Sequence, residues 1–270
     1  MNNRKIFVFG ANGMVGSYVH KYFKDSIPVT RDQVDARQCV VSIQIPELDK
    51  LGIGQGDVVI NLMGITNKRK ENERDFYLVN STFPHLLADY CELNGAKMIH
   101  ISTDCVFDGS KGNYSESDKF SAQDIYGVSK FLGEPPNCTV VRTSVIGENR
   151  NSNKDLLEWV RSYKNTDITG YTNHYWNGIT CLQFTKVCEI IINDNRFWRG
   201  VRHIHSPYPV SKSWIVEQVD RIYELHNNIH YKMTDTMCDR TLRSDYSFDW
   251  ADIPDTGKQI YEQKDWLYKE

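Results

Sequence analysis

The first two dozen residues constrain this chain more than any other part of it. Lys5-Ile6-Phe7-Val8-Phe9 is a short apolar run of β-forming residues, and Gly10-Ala11-Asn12-Gly13-Met14-Val15-Gly16 follows without a break. Ser17 to Phe23 then suits a helix. Strand, glycine-rich turn and helix in this order open a dinucleotide-binding unit. The glycines allow a tight turn and close approach of backbone to a pyrophosphate, which the helix N-terminus faces. The spacing is GxxGxxG, and it predicts cofactor contacts from Gly10, Asn12, Gly13, Met14, Val15 and Gly16. A glycine-rich turn with no ligand is the plainer alternative.

A second strand over Ile27–Thr30 ends at Arg31-Asp32. An arginine here suits a ribose 2′-phosphate and an acidic residue a free 2′-hydroxyl. Thr30-Arg31 therefore favours NADPH, with NADH left open by Asp32. Asp57–Asn61 reads as the next strand, and Asn61, Met63 and Gly64 at its end are further candidates for the cofactor. Val40-Val41-Ser42-Ile43 and the glycines at 52, 54 and 56 read as connections. A helical period runs from about Glu71 to Asn94 and stops at Asn94-Gly95, with Pro84 predicting a bend or interruption. Asn80-Ser81-Thr82 within it either faces the cofactor or lies on a solvated face.

Lys97–Ile101 is another buried strand, and it delivers Ser102-Thr103-Asp104 to its carboxyl end, where open α/β sheets bind ligands. Hydroxyls there can hydrogen-bond a substrate carbonyl, or can simply cap a turn. Downstream, Tyr126 and Lys130 stand four apart and share one helix face. A fixed ammonium beside a phenol favours the phenolate and would draw its pKa down from roughly 10 toward a useful range for proton transfer. A solvated helix edge is the plain reading of the same pair. Thr139–Thr143 forms a further strand.

GANGMVG, HISTDCVFDG, YGVSKFLGE and VVRTSVIGEN, in this order and at these intervals, resemble the extended short-chain dehydrogenase/reductase superfamily. Within it the chain is most similar to the dTDP-4-dehydrorhamnose reductase family of nucleotide-sugar 4-ketoreductases, strongly over about the first 150 residues. The resemblance implies a doubly wound, Rossmann-like parallel sheet with a smaller C-terminal substrate lobe. It implies Thr103 as catalytic hydroxyl, Tyr126 as acid, Lys130 as its partner, and Gly10, Gly13 and Gly16 at the pyrophosphate. The implied reaction is NADPH-dependent reduction of a 4-keto-6-deoxy sugar nucleotide in deoxysugar biosynthesis. Many family members carry Tyr where this chain has Cys105. In related bifunctional epimerase-reductases a cysteine at that place is a base, paired with an acid in the segment that here runs from Glu148 to Arg161. Glu158, Trp159 and Lys154 are the nearest candidates for the acid. A further alternative is a non-catalytic dinucleotide-binding regulator resembling the β subunit of methionine adenosyltransferase.

The expected division is a dinucleotide domain over 1–148 and a substrate lobe over 149–270, with about 178–206 returning to the first. Asp155–Val160 starts a helix, and a loop from Gly170 to Gly178 gathers Tyr171, His174, Tyr175, Trp176 and Asn177. Such a loop suits a sugar or base, or is core packing around a turn. Asp104, Cys105, Trp176 and Asn177 are candidate substrate contacts. Helices are expected over Gln183–Asn193, Val210–Leu225 (capped by Ser211 or Ser213) and Gly257–Glu270, and a strand over Val201–His205. In Asp239–Ser244, Arg243 is the candidate for the substrate pyrophosphate.

A net charge of -3 with no long single-sign run gives no nucleic-acid or membrane surface. Seven scattered cysteines without a CxxC pair indicate neither a disulfide framework nor a metal site. The start lacks a signal peptide's apolar region and no run approaches the roughly 20 residues of a membrane span. The reading is therefore cytoplasmic, with a nucleotide-diphosphate sugar as partner and a homodimer compatible with the resemblance.

Overall fold

Phe7 and Phe9 point to one side of the first strand and Val8 to the other, and all three are fully buried. A strand that is apolar on both faces must be covered on both, which is the condition of a parallel sheet wrapped by helices. The computed structural model describes residues 4–39, 46–67, 71–149 and 155–269; Val40–Ile43 and Lys154 lie outside them. In chain order the first strands are β1 (Ile6–Phe9), β2 (Ile27–Val29), β3 (Val58–Asn61), β4 (Lys97–Thr103) and β5 (Thr139–Thr143). They are followed by β6 (Val145–Ile146), β7 (Asp167–Tyr171), β8 (His174–Trp176) and β9 (Ile179–Thr180). The last are β10 (Gly200–His203), β11 (Val210–Ser211), β12 (Asn228–Lys232) and β13 (Cys238–Asp239). The helices are α1 (Met14–Tyr22), α2 (Ala36–Cys39), α3 (Pro46–Asp49), α4 (Glu73–Tyr77) and α5 (Phe83–Leu93). After them come α6 (Ile125–Leu132), α7 (Leu156–Arg161), α8 (Cys181–Asn193), α9 (Lys212–Tyr223) and α10 (Thr256–Tyr268).

The central sheet has six strands in the order β10-β5-β4-β3-β1-β2, every neighbouring pair parallel. On one face Phe76, Phe83 and Leu87 from α4 and α5 cover Phe7, Phe9 and Val59. On the other, Val19 of α1 and Phe184, Val187 and Ile191 of α8 cover Val8, Ile60 and Ile99. Each such side chain contributes about 1.5–3 kcal/mol on burial. The sheet is the expected doubly wound, Rossmann-like one. Strand order reverses beside β1, with β2 on one side and β3 on the other, so the glycine turn after β1 and the loop after β3 share a topological switch point.

A smaller apolar cluster joins Leu157 and Val160 of α7, Ile215 and Val219 of α9, and Ile260 of α10. Parallel β7 and β12 lie beside it, and β8 sits between β11 and β13.

The interruption expected near Pro84 takes a definite form, and two other local expectations change. The helix over 71–94 is broken by a π-helical turn at Leu78–Thr82, where Phe83 N–H reaches back to the Leu78 carbonyl. Pro84 has no N–H to continue the α ladder, so the chain takes one wider turn. That turn buries Asn80, whose amide donates to the Ile65 carbonyl and the Ser129 hydroxyl and accepts from Ile65 N–H. Asn80 thus ties the loop after β3 to α6. The aromatic stretch from 170 to 178 is strand at β7 and β8 and not a loop. The helix expected from Val210 begins at Lys212, because Ser211 closes β11 and caps α9 through Trp214 N–H. Ser213 is not the cap.

Candidate active site

Asp124 sets the position of α6. One of its carboxylate oxygens accepts from the N–H groups of Tyr126 and Gly127, both at 3.0 Å, and so places Tyr126 in the first turn. Gly127 lets the helix approach: a Cβ there would overlap the Cys105 carbonyl oxygen. The segment after β4 therefore lies directly against α6. There Thr103 caps a short 3₁₀ turn through Cys105 N–H at 3.2 Å, and its hydroxyl donates to Asp104 at 3.1 Å. The Thr103 hydroxyl also neighbours the Tyr126 phenol and pulls its pKa down. One turn further on, the buried Lys130 ammonium donates to the Ile101 carbonyl at 2.7 Å.

The electrostatics depart from the expectation for Tyr126. Burial first, then the neighbouring Cys105, push the phenol above its ordinary value, and the Thr103 hydroxyl only partly opposes them. The Lys130 ammonium, which donates to the Ile101 carbonyl, does not offset this rise. Burial brings Lys130 itself down to about 8. Burial and the Asp104 carboxylate push the Cys105 thiol up to about 12, so this cysteine is a neutral thiol near pH 7. Burial raises Asp104, against the opposing pull of Arg240 and the hydroxyls of Ser144 and Thr103.

A cavity of about 260 Å³ opens beside this cluster. Asp104, Cys105, Met14 and Trp176 line it, together with Lys212 and Arg240. Arg243 is outside it and pairs at the surface with Asp245 at 2.7 Å. Asn177 is buried and uses both ends of its amide on the Leu242 backbone, at 2.7 and 2.8 Å. Glu158 and Trp159 do not line the cavity either: Glu158 accepts from Asn149 N–H and pairs with Arg161, and Trp159 packs on Tyr163. Arg240 and Lys212 escaped the sequence reading. The signal for Arg240 was the pair of arginines in DRTLRSD, which does not say which one turns inward; Lys212 carried none.

At the switch point Gly10 has φ +77° and packs so closely on Leu62 and Met63 that a Cβ would lie 3.1 Å from their backbone. A Cβ on Gly16 would overlap the Gly10 carbonyl oxygen. The N-terminus of α1 has no side-chain cap and no acidic residue in its first turn. Asn61 holds Met63 N–H at 3.2 Å and donates to Nδ1 of the buried His100 at 3.1 Å. Arg31 and Gly64 are exposed. A second cavity, about 380 Å³, opens beside Asn12, Gly13 and Ser17.

This sheet, with a glycine turn at its switch point and a Thr-Tyr-Lys cluster after β4, is that of an extended short-chain dehydrogenase/reductase. Residues 4–168 match the family described as RmlD substrate binding domain, and the chain belongs to that family, the dTDP-4-dehydrorhamnose reductases. A dTDP-4-dehydrorhamnose reductase of Mycobacterium tuberculosis is 33% identical over 159 residues, covering 53% of this chain and 50% of that one. A probable low-salt glycan biosynthesis reductase of Haloferax volcanii is 32% identical over 182 residues, covering 58% and 59%. By sequence the chain thus spans only about half the length of relatives such as the first, 50%. Among solved structures, the dTDP-4-dehydrorhamnose reductase of Bacillus anthracis in complex with NADP superposes with a TM-score of 0.80 at 18% identity, covering 99% of this chain and 100% of that one. The Clostridium acetobutylicum reductase gives 0.77 at 21% identity, covering 98% and 100%. These two likenesses concern the fold.

Proposed function

We propose that the chain catalyses NADPH-dependent reduction of the 4-keto group of a 4-keto-6-deoxy sugar nucleotide, a step of deoxysugar (rhamnose-like) biosynthesis. One observation carries this reading: the Thr103 hydroxyl and the Tyr126 phenol adjoin at the carboxyl end of β4, with the Lys130 ammonium on the Ile101 carbonyl of the same strand and a cavity lined by Asp104 and Arg240 alongside. The names of the relatives support it.

The residues at the switch point fit a dinucleotide, since α1 presents uncapped amides there and a cavity opens beside Asn12 and Gly13, while Gly10 and Gly16 let the turn close tightly on its own backbone. Gly10, Asn12, Gly13, Met14, Val15 and Gly16 would hold its pyrophosphate side, with Asn61, Met63 and Gly64 along the edge of β3. Arg31, exposed after β2, would meet the 2′-phosphate that marks NADPH. When bound, this cofactor supplies the hydride. Tyr126 gives its proton to the oxygen of the carbonyl as the carbon is reduced. A high phenol pKa does not prevent this, because the developing alkoxide is a stronger base than a phenolate. Thr103, once its hydroxyl hydrogen turns from Asp104, donates to the same oxygen as charge builds on it. Lys130, an ammonium below its pKa of about 8, would hold the ribose next to the nicotinamide. Cys105 lines the site as a thiol and exchanges no proton.

In this reading 1–148 is the dinucleotide domain and 149–270 the substrate lobe, with 178–206 returning to the first. A homodimer in the cytoplasm completes the proposal. Among the described residues no helix is long and apolar enough to cross a membrane. The test is NADPH oxidation with a panel of 4-keto-6-deoxy sugar nucleotides. Turnover of one of them is expected; NADPH binding with no turnover on any of them, and a partner enzyme co-purifying, would replace this function with the regulatory one.

A further inference from the structure

His100 lies in the middle of β4, fully buried, and the reaction above gives it no task. Its register partner on β3 is Asn61. Hydrogen-bond direction fixes the state of this pair. Met63 N–H can only donate, so the Asn61 atom 3.2 Å from it is the amide oxygen. The amide nitrogen of Asn61 then faces His100 Nδ1 at 3.1 Å, and it too can only donate. Nδ1 is therefore the acceptor, and the ring hydrogen sits on Nε2. A protonated ring would set one N–H against another. Burial, then Lys130 of α6 and His85 of α5, hold its pKa well below 6.5, so the ring stays neutral.

The other end of the ring is not engaged. Nε2 is buried and has no hydrogen-bond partner among the described residues. Buried polar atoms are almost always paired, and an apolar side chain would fill this place without leaving one orphaned. What an apolar side chain lacks is the Nδ1 lone pair. That lone pair orients the Asn61 amide, and Asn61 in turn orients the Leu62–Met63 peptide. Gly10 packs on the same peptide: a Cβ there would lie 3.1 Å from Leu62 C, Leu62 O and Met63 N. One histidine on β4 thereby sets the contact between the loop after β3 and the glycine turn after β1. We infer that His100 is a positioning residue for the dinucleotide, whose Nδ1 holds Asn61, and through it the Leu62–Met63 peptide, in the orientation the cofactor meets. The inference rests on the dinucleotide part of the function proposed above. Without the acceptor the Asn61 amide turns freely and Met63 N–H loses its fixed partner. Binding the cofactor must then order that peptide as well.

Calorimetric titration of the unaltered chain, His100→Leu and His100→Asn with NADPH is the test. Leucine fills the space and offers no acceptor. Asparagine is smaller but can place its amide oxygen where Nδ1 was. Leucine should bind NADPH about tenfold more weakly, as for one lost hydrogen bond, and asparagine within about threefold of the unaltered chain. A histidine that merely fills space would rank the two the other way, because the smaller, polar asparagine leaves a void. In the nitrogen-labelled unaltered chain, NMR should find the hydrogen on Nε2 and no titration through pH 6.5. That spectrum decides alone if His100→Leu does not fold. Leucine binding as tightly as histidine, asparagine as weakly as leucine, or a hydrogen on Nδ1 overturns the inference. So does an unaltered chain that binds no NADPH. Affinity that follows the acceptor, in a protein that turns over no 4-keto substrate, would keep the positioning role and remove the reductase.

Discussion

Tyr126→Phe removes one hydroxyl and keeps the ring, so its effect isolates proton transfer. The expected loss is about 10²–10⁴ in kcat with the fold intact, read as NADPH oxidation on the accepted 4-keto substrate; unchanged turnover would take Tyr126 out of the chemistry. Cys105 makes the opposite prediction. A thiol pushed up to about 12 is a poor base at neutral pH. In deuterated water without NADPH, a 4-keto substrate should therefore gain no enzyme-dependent deuterium at C3 or C5. Incorporation that disappears in Cys105→Ser would make the protein an epimerase as well. Lys130 supplies the pH dependence. Burial lowers its pKa from 10.5 to about 8, so between those values the unfolded chain keeps a proton that the folded chain has lost. Its contribution to stability therefore rises with pH through that window. Urea midpoints of the unaltered chain, taken relative to Lys130→Met, should climb from pH 8 to 10; a flat difference would mean that Lys130 is not buried as a lone cation.

The element that matters most is α6, and its position depends on the cap at Asp124 and the missing side chain at Gly127. A methyl at 127 would meet both the Cys105 carbonyl and the Ala122 side chain, so the helix must retreat from β4. Gly127→Ala should cost about 1–3 kcal/mol in urea unfolding, as overpacking usually does. It should lower turnover as well, because Tyr126 moves with the helix. Asn80 supports α6 from the other side, through the π-helical turn that Pro84 imposes.

Across the whole molecule, a buried ionic network joins the sheet to the C-terminal segment. Arg142 on β5 binds Glu134 through two hydrogen bonds of 2.9 and 2.5 Å, and Ser102 donates to the same carboxylate. The third arm of Arg142 donates to Nε2 of His203 on β10 at 3.0 Å. With Nε2 as acceptor, Nδ1 carries the hydrogen and donates to the Arg243 carbonyl at 2.8 Å. The network thus anchors the chain segment bearing Arg240. With side chains 6% and 5% exposed, Arg142 and Glu134 are paired away from water. Glu134→Gln should destabilise by about 3–5 kcal/mol, since it leaves a buried guanidinium without its anion. A midpoint shift below 1 kcal/mol in chemical denaturation would contradict that placement.

The sequence by itself determined the strands of the central sheet and most of the helices that wrap it. Alternation of side chains, glycine spacing and capping residues act within a few positions of one another, so they can be read along the chain. That these elements make a doubly wound sheet was implied by the resemblance of the motifs to a known family. What it could not show was which groups meet across long separations. Pro84 announced a break, but the π turn that buries Asn80 depends on Ile65 and Ser129, which are 15 and 49 residues away. The Tyr126–Lys130 spacing put both residues on one face. Only the packed interior decided that the lysine donates to the Ile101 carbonyl while burial raises the phenol. Arg240 and Arg243 look equivalent in DRTLRSD. In extended chain, residues an odd number apart face opposite ways, and the tertiary structure turns Arg240 toward the cavity and Arg243 toward Asp245. Lys212 joins Arg240 only because α9 begins where it does, at a cap that the chain closes after β11. Local pattern encodes the elements; the burial and charge that give a side chain its chemistry exist only once those elements have packed.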